Sequence, residues 1–306
     1  MPFFSIVIPT YNRAALLCAA LESVFAQTFS DYEVLVVDDG STDVTAAEIA
    51  ARNGRIRLFQ QKNQGPGAAR NLGTRNATGD YVAFLDSDDI WFPWTLQTYF
   101  DVLNQADMPG FIVGKPFDFA KISDLIDAKQ TLLSVSSFSD YLAAANRPGF
   151  TILTCSSVVV RRTEILHSGG FSEQNMNAED SDLWLKLGLV PGFRCIEAPA
   201  TNGYRRHSLS AVSDLEKTYR GLDHMVQTEV AEGYPGGRAR QKQRQEVITR
   251  HLRPASLSLL QSRAFKKAFQ LYARTWRWNC RLGRIKYLVG FWFYFLRSAL
   301  FSRKHS

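Results

Sequence analysis

Three acidic residues follow a short apolar run at positions 81–85. Asp86, Asp88 and Asp89 lie there with only Ser87 between the first two. Carboxylates at this spacing suit a hard divalent cation, which takes few protein ligands and completes its coordination shell with phosphate oxygens. A bound cation would also remove the repulsion between the two carboxylates. Because a lone D-x-D pattern is common in solvated turns, its place at the end of a buried strand is what favours a metal site.

A second acidic pair, Asp38 and Asp39, follows another apolar run at 33–37. A carboxylate at the end of a strand can accept hydrogen bonds from a nucleoside base or a ribose hydroxyl. The structural alternative is a helix cap, but a cap needs only Ser41 and leaves both aspartates without a role. The pair therefore favours a nucleotide site.

Residues 63–71 form a glycine-rich segment, N-x-G-P-G-A-A-R-N, that leads into a predicted helix. Backbone amides and the Arg70 guanidinium could bind an anion there. A plain turn that starts the helix is an equally good interpretation of the segment alone. The segment matches neither the dinucleotide fingerprint nor the Walker A pattern.

A third acidic group comprises Glu179, Asp180 and Asp182, at the start of a predicted helix. Such residues can simply stabilise the helix N-terminus. Beside a divalent cation and a nucleotide, however, a free carboxylate is also the group that would deprotonate an attacking hydroxyl. Further along, residues 204–207, Y-R-R-H, could bring cations and the imidazole of His207 to a diphosphate.

The elements that must position these groups are predicted from apolar periodicity. Strand and helix patterns alternate through residues 5–85, which predicts a parallel, doubly wound α/β sheet. Right-handed crossovers place the carboxyl ends of such strands at one edge, where ligands bind. The predicted strands are 5–9, 33–37, 56–59 and 81–85, and the predicted helices are 14–25, 42–52 and 67–76.

The pattern is looser beyond residue 100. From 214 onward the sequence is predicted to be helical, with breaks at 235–237 and at Pro254. The predicted elements before that point are an extended segment at 149–160, a helix at 180–189, and short strands at 193–196 and 203–206.

Taken in order, these motifs resemble glycosyltransferase family 2, a family of GT-A fold enzymes. The resemblance covers roughly residues 3–210, and the ordered set is far more specific than any single member. The matching segments are S-I-V-I-P-T-Y-N (5–12), V-V-D-D-G-S-T-D (36–43), N-x-G-x-G-A-A-R-N-x-G (63–73), F-L-D-S-D-D (84–89), G-G-F (169–171), E-D-S-D-L-W (179–184) and Y-R-R-H (204–207).

The resemblance implies a role for individual residues. Asp180 would be the general base, with Glu179 helping to place the acceptor. Asp88, together with Asp86, would bind Mn²⁺ or Mg²⁺. The residues implied to bind the nucleotide sugar are Pro9, Thr10, Tyr11, Asn12, Asp39, Arg70, Asp86, Ser87 and His207.

The activity implied by the resemblance is inverting transfer of a sugar from a nucleoside-diphosphate sugar, with a UDP-sugar as the expected donor. The acceptor would be a hydroxyl of a glycan or a lipid-linked saccharide, in bacterial cell-envelope polysaccharide or glycolipid synthesis. Two alternatives stay open: a sugar-1-phosphate nucleotidyltransferase, and a non-catalytic nucleotide-sugar-binding or membrane scaffold protein. The implied fold is a Rossmann-like, mainly parallel sheet flanked by helices.

The same resemblance and the charge distribution predict the domain organisation. Residues 1–212 would form the catalytic domain, with 1–104 as its nucleotide-binding half and 105–212 as its acceptor-binding half. Residues 213–306 would form a helical extension that is basic and aromatic-rich from 251.

The net charge of +7 hides a strong asymmetry. All 29 acidic residues precede residue 250, whereas 251–306 contains 12 of the 36 basic residues and 12 aromatic residues. Phe265, Phe269, Tyr272 and Trp276 follow a helical stripe in this tail. Three interpretations compete: an anionic membrane surface as partner, packing on the catalytic body, and nucleic-acid binding. The first two are compatible, and nucleic-acid binding is not expected because no nucleic-acid motif accompanies the charge.

Other features limit the class of protein further. The four cysteines are scattered, without zinc-ligand spacing, and fit reduced thiols in the cytosol. The amino terminus has no basic segment of the kind that opens a signal peptide. The sequence thus predicts a cytoplasmic protein that associates peripherally with the inner face of the cell membrane.

Overall fold

The computed structural model describes residues 1–51, 54, 56–104, 108–206 and 214–300. Within these residues nine strands form one sheet. The strands are β1 (Phe4–Thr10), β2 (Tyr32–Asp38), β3 (Arg57–Gln60), β4 (Tyr81–Phe84), β5 (Ile90–Trp91), β6 (Phe111–Phe119), β7 (Ser134–Phe138), β8 (Val158–Arg161) and β9 (Phe193–Arg205).

Helices cover both faces of this sheet and continue beyond it, and two short 3₁₀ turns lie at 122–127 and 155–157. The helices are α1 (Ala14–Phe25), α2 (Thr45–Ala50), α3 (Pro66–Asn76), α4 (Thr95–Leu103), α5 (Tyr141–Ala145), α6 (Arg162–His167), α7 (Glu179–Lys186), α8 (Leu215–Val230), α9 (Gly237–Gln261), α10 (Phe265–Arg281) and α11 (Ile285–Leu300).

The strand order is β3-β2-β1-β4-β8-β6-β9-β5, with β7 paired to β9. Strands β1 to β4 pair in parallel with one another, which confirms the doubly wound first half. Strand β8 runs antiparallel to both of its neighbours, β4 and β6, and so joins the two halves of the sheet. The predicted mainly parallel α/β fold with a helical C-terminal region is confirmed.

Alternation along the central strands gives the sheet two apolar faces. In β1 the side chains of Ile6 and Ile8 belong to one buried cluster, with Leu17 and Leu21 of α1. The side chain of Val7 between them belongs to the other cluster. Since successive side chains of a strand point to opposite faces, an uninterrupted apolar run is what a strand covered on both sides requires.

Two predicted boundaries are wrong. Helix α2 begins at Thr45 and not at 42, because Asp43 accepts hydrogen bonds from the Thr45 amide (3.0 Å) and hydroxyl, whereas Ser41 accepts one from the Asn12 amide. The two short strands predicted at 193–196 and 203–206 are parts of one strand, β9, because β6, β7 and β5 supply partners along its whole length.

The helical break predicted at Pro254 is also wrong, because Pro254 lies inside α9. A proline removes one backbone hydrogen bond from a helix and usually kinks or ends it. Here Leu252, Leu259 and Leu260 are fully buried in the main core on either side of it. Their packing holds the helix across the missing bond, so α9 passes through the charge step near residue 250.

Helices α8 and α9, and the turn between them, pack on the α/β part of the chain, and α10 and α11 pack on α8 and α9. The buried Asp182 of α7 accepts a hydrogen bond from the Tyr234 hydroxyl at 2.6 Å. Arg240 of α9 forms a two-pronged ion pair with Asp140, the N-cap of α5. Arg250, also on α9, donates to the backbone carbonyls of Ala145 and Phe150.

Within residues 1–300, leaving out the positions that the structure does not describe, no helix is both long enough and apolar enough to cross a membrane.

Candidate functional site

The carboxyl ends of β1 and β2 lie side by side, as the crossover rule predicts. Thr10 pairs with Asp38 in the parallel register, and the Asp39 amide donates to the Thr10 carbonyl at 2.9 Å. Beyond the strands, the Asn12 side chain accepts a hydrogen bond from the Thr42 amide at 2.8 Å. Two of the predicted nucleotide-binding segments therefore form one continuous edge.

The Asp39 carboxylate is buried and fixes the glycine-rich segment. It accepts hydrogen bonds from the Gln61 side chain (2.7 Å), the Gln64 amide (2.9 Å) and the Gly65 amide (2.8 Å). A carboxylate offers about four acceptor positions, so these three bonds use most of them. Asp39 thus fixes residues 61–65 against the end of β2.

The predicted pocket residues of β1 differ in exposure. Pro9 and Thr10 are buried, whereas Tyr11 is 44% exposed at the edge. The Thr10 hydroxyl is buried without a hydrogen-bond partner among the described residues. Because such a group loses free energy until it is paired, an orphaned hydroxyl beside an exposed ring is consistent with a polar ligand at this edge. Asn12 has a left-handed backbone, with φ of 51°.

Arg70 joins the acidic turn at residues 86–89 to the start of α7. Its guanidinium donates to Asp86 at 2.6 Å and to Glu179 at 2.9 Å, and it lies 5.3 Å from the centre of the Phe171 ring. The arginine is almost completely buried, and the positive charge compensates two carboxylates that are far apart in sequence. Two of the predicted acidic groups are therefore in direct contact with one cation.

Glu179 and Asp180 occupy different environments at the start of α7. Burial raises the pKa of Glu179 to about 7; Arg70 opposes the rise and Asp180 adds to it. Asp180 is half-buried and accepts a hydrogen bond from the Ser181 amide at 2.6 Å. Asp180 is therefore the more accessible carboxylate of the two, since Glu179 is buried and held by Arg70.

Asp88 contacts a residue that sequence reasoning missed. Arg13, in the loop before α1, forms an ion pair with Asp88 at 2.5 Å. Arg205 of β9 donates through Nε to the Asp88 carbonyl at 2.8 Å. The two arginines line a cleft of about 740 Å³ between the starts of α1 and α2. The cleft therefore has two guanidinium groups beside the predicted metal ligand.

Asp89 holds the acidic turn in shape. Its buried carboxylate accepts hydrogen bonds from the hydroxyls of Thr154 (3.0 Å) and Ser156 (2.6 Å) and from the Arg205 amide (2.9 Å). Burial, and then the charge of Asp86, raise the pKa of Asp89 to about 7. In the sequence, the only sign of this structural role was that a third acidic residue follows the D-S-D run. The predicted site residue Ser87, which lies between Asp86 and Asp88, is buried.

The residues at the turn fit a divalent cation. Asp86 and Asp88 offer hard carboxylate oxygens, and each is already neutralised by a guanidinium group, from Arg70 and Arg13 respectively. Among the described residues no group of three or more histidine, cysteine or acidic side chains could enclose a metal. Two carboxylates alone would leave most of a cation's coordination shell to other ligands.

The predicted site residue His207 lies outside the described residues.

Asn71 is a second residue whose contact sequence reasoning missed. It binds the G-G-F segment at 169–171: its side chain accepts a hydrogen bond from the Phe171 amide and donates one to the Phe171 carbonyl, both at 2.9 Å. The signal for this contact was present, since Asn71 follows Arg70 in the same motif.

Gly67, at the first turn of α3, provides a test of this packing. A Cβ atom at this position would lie 2.4 Å from the Ser172 carbonyl oxygen. We expect Gly67→Ala to lower the free energy of unfolding by about 1–3 kcal/mol, because backbone must move to relieve the clash. The matched control is Gly290→Ala, also in a helix but with nothing within 4 Å of the added methyl group. It should stabilise the chain by about 0.5–1 kcal/mol. Urea denaturation measures both, and equal effects would contradict the packing argument.

Comparison with known proteins identifies relatives of the chain. The family model described as "Glycosyl transferase family 2" matches residues 5–163, just over half of the chain. An uncharacterized glycosyltransferase of Rickettsia felis is 51% identical over 90 residues, which cover 29% of this chain and 15% of that protein. One of Haemophilus influenzae is 29% identical over 225 residues, covering 72% and 75%. The succinoglycan biosynthesis protein ExoW of Rhizobium meliloti is 44% identical over 114 residues, covering 35% and 36%.

Solved structures share the fold at low sequence identity. S. aureus TarS 1–349 in complex with UDP-GlcNAc has a TM-score of 0.56 and 19% identity, covering 92% of each chain. The mannosyltransferase PcManGT of Pyrobaculum calidifontis, in complex with GDP-Man and Mn²⁺, has a TM-score of 0.54 and 19% identity, covering 97% of this chain and 84% of the other. The fold, the ordered motifs and the family match agree: the chain belongs to glycosyltransferase family 2.

Proposed function

We propose that the chain transfers a sugar from a nucleoside-diphosphate sugar, with a UDP-sugar as the donor class, to a hydroxyl of a glycan or lipid-linked saccharide. The observation that supports this best is the contact of Arg70 with both Asp86 and Glu179, at 2.6 and 2.9 Å. Through this contact Asp86, proposed to lie on the donor side, and the start of α7, where Asp180 lies, are both next to the Arg70 guanidinium. The nucleotide sugars bound by TarS and by PcManGT support the donor class.

In the proposed reaction Asp180 acts as the general base. As its carboxylate accepts the proton of the acceptor hydroxyl, the hydroxyl oxygen forms a bond to the anomeric carbon. The carbon–oxygen bond to phosphate breaks on the opposite face, and its electron pair leaves with the nucleoside diphosphate. A single displacement of this kind inverts the anomeric centre and needs no carboxylate nucleophile, unlike retaining glycoside hydrolysis.

The remaining residues have supporting roles. Arg13 and Arg205 lie where positive charge would stabilise the leaving diphosphate. A divalent cation, when bound, would be held by Asp86 and Asp88 and would neutralise charge on the diphosphate. Asp39 and Tyr11 would contact the base, and Glu179 would help to place the acceptor.

The site of action that we propose is the cytoplasmic face of a bacterial membrane, in the synthesis of a cell-envelope polysaccharide or glycolipid. The relative named as a succinoglycan biosynthesis protein supports this setting. The catalytic part would span 1–212, and the helical extension 213–306.

A screen of nucleotide sugars by thermal shift, with Mn²⁺ present, tests the donor class. A ligand that binds only the folded chain raises its stability according to ln(1 + [L]/Kd). We expect UDP-sugars to raise Tm more than GDP-, ADP- or CMP-sugars do. Release of UDP from the best donor, followed by product analysis, would then show whether transfer occurs. A Tm that no nucleotide sugar changes would contradict the proposal.

The metal role gives a separate prediction. We expect a chelator to lower donor turnover by about a hundredfold or more, because charge on the leaving diphosphate would go uncompensated, and Mn²⁺ or Mg²⁺ to restore it. Mn²⁺ should also raise the Tm of the wild type, and Asp88→Asn should lose this rise together with the turnover. Asp223→Asn on α8, which also loses an arginine partner, is the control and should retain both. Full turnover in chelator would exclude this metal role.

A further inference from the structure

Helix α11 is apolar on two opposite faces. Tyr287, Phe291 and Phe295 repeat every four residues on the inner face, where Tyr287 and Phe291 are buried. Ring stacking at 4.2 Å between Phe291 and Tyr272 of α10, and a contact of Phe295 with Phe265, attach this face to the protein. Part of the aromatic stripe predicted on α10 therefore packs against α11 and is not available to a partner.

The outer face of α11 is just as apolar but faces away from the protein. Ile285, Val289, Phe293 and Leu296 follow a spacing of four, four and three residues, and their exposed fractions are 68, 67, 64 and 58%. An offset of two residues from the inner row is a rotation of about 200°, nearly the opposite side of a helix. Helices that are apolar all round are normally buried, so this outer face requires a partner.

The charges around the outer face are positive. Exposed Lys286 and Arg297 lie along one side of it on α11 itself, and no acidic residue follows Glu246 in the sequence. Three acidic residues of α8 and α9 do contact the α10–α11 hairpin, and each forms an ion pair with a basic side chain. These ion pairs are Glu216 with Lys267, Asp223 with Arg274, and Glu246 with Arg284.

We propose that the outer face of α11 inserts into the interface of an anionic lipid membrane, with Lys286 and Arg297 binding the headgroups. This deepens the membrane association within the proposed function and does not depend on which sugar is transferred. Apolar insertion beside basic side chains is the pattern by which surface helices bind such membranes. A second copy of the chain is a poorer occupant, because a symmetric contact would bring Lys286 and Arg297 of both copies together without an acidic residue of α11 to neutralise them.

Point substitutions test this face better than truncation. Cutting the chain near residue 250 would divide α9, remove the buried Leu252 and Leu259, and expose the core residues that they cover. The double variant Val289→Ser, Phe293→Ser changes only exposed side chains. The control is Ile126→Ser, Leu132→Ser, whose original side chains are 84% and 92% exposed elsewhere on the surface. A charge variant, Lys286→Gln with Arg297→Gln, completes the set.

Co-sedimentation with phosphatidylglycerol-containing vesicles, and with vesicles of phosphatidylcholine alone, measures the binding. We expect wild type and control to bind the anionic vesicles, the apolar variant to bind about a hundredfold more weakly, and the charge variant about tenfold more weakly. All should keep the thermal stability and the donor response of the wild type.

The outcomes separate the claims. An apolar variant that binds like the wild type would overturn the assignment of this face while membrane association stands. Wild type that binds no vesicle would overturn both, and donor turnover would still report on the transferase. A wild-type dimer in light scattering that the apolar variant loses, without vesicle binding, would assign the face to a second copy instead.

Discussion

Replacing Asp180 by asparagine is expected to lower sugar transfer by about a thousandfold or more while donor binding survives. The amide has nearly the same shape and can still accept the 2.6 Å hydrogen bond from the Ser181 amide, so the start of α7 should be unchanged. It cannot accept a proton from the acceptor hydroxyl, and a positioned base contributes about 10²–10⁴-fold to such steps. Turnover and the donor-induced shift in Tm, measured on the same sample, separate the two effects.

The control for Asp180→Asn is Glu216→Gln. Glu216 is likewise an acidic residue in the first turn of a helix, but it lies on α8 and pairs with Lys267. It should leave turnover within about twofold of the wild type, because exposed ion pairs contribute little. An Asp180→Asn variant that retains turnover would show that Asp180 is not the general base, and Glu179 would then be the first residue to test.

Arg70→Met is expected to destabilise the fold by about 3–5 kcal/mol. The substitution removes the one guanidinium that neutralises both Asp86 and Glu179, and breaking a buried ion pair leaves an uncompensated charge inside the protein. Urea denaturation measures the loss. Arg75→Met on the same helix is the matched control: its pair with Glu173 is about half exposed, and its loss should cost about 1 kcal/mol or less. Equal losses would show that burial at Arg70 does not matter.

The pH dependence of the free energy of unfolding tests the contact between Arg70 and Glu179 through the titration of Glu179. The pKa of Glu179 is raised from 4.5 to about 7, so the folded chain binds a proton that the unfolded chain releases between these values. The stabilising contribution is therefore complete below about pH 4.5 and is lost as the pH rises towards 7. Removing Arg70 should raise this pKa further, so the loss in Arg70→Met should extend to higher pH than in the wild type.

The parts of the fold that the sequence predicts are those determined locally. Uninterrupted apolar runs such as Ile6–Ile8 indicate strands covered on both faces, and parallel topology then brings Thr10 and Asp39 to one edge. The acidic and glycine-rich motifs predict a set of site residues that stays a prediction. Asp86 and Glu179, which belong to two of these motifs, both contact Arg70, which belongs to a third.

The parts that it misses depend on contacts between distant residues. No local pattern pairs Arg13 with Asp88, 75 residues away. The helix through Pro254 persists because the surrounding helices bury Leu252 and Leu259, which outweighs the helix-breaking propensity of proline. Likewise, the apolar composition of α11 indicates burial, but only the packing of its inner face shows which half of its surface is left for a partner.

The three hydrogen bonds that Asp39 accepts from residues 61–65 also affect how a donor would bind. They order this loop in the free chain, so its conformational entropy is lost during folding and not during association. Rigid sites of this kind gain affinity because less order must be created on binding. Loosening the loop by Gln61→Ala, which removes one of the three bonds, should therefore weaken donor binding chiefly through entropy, a change that calorimetry would register as a more negative TΔS.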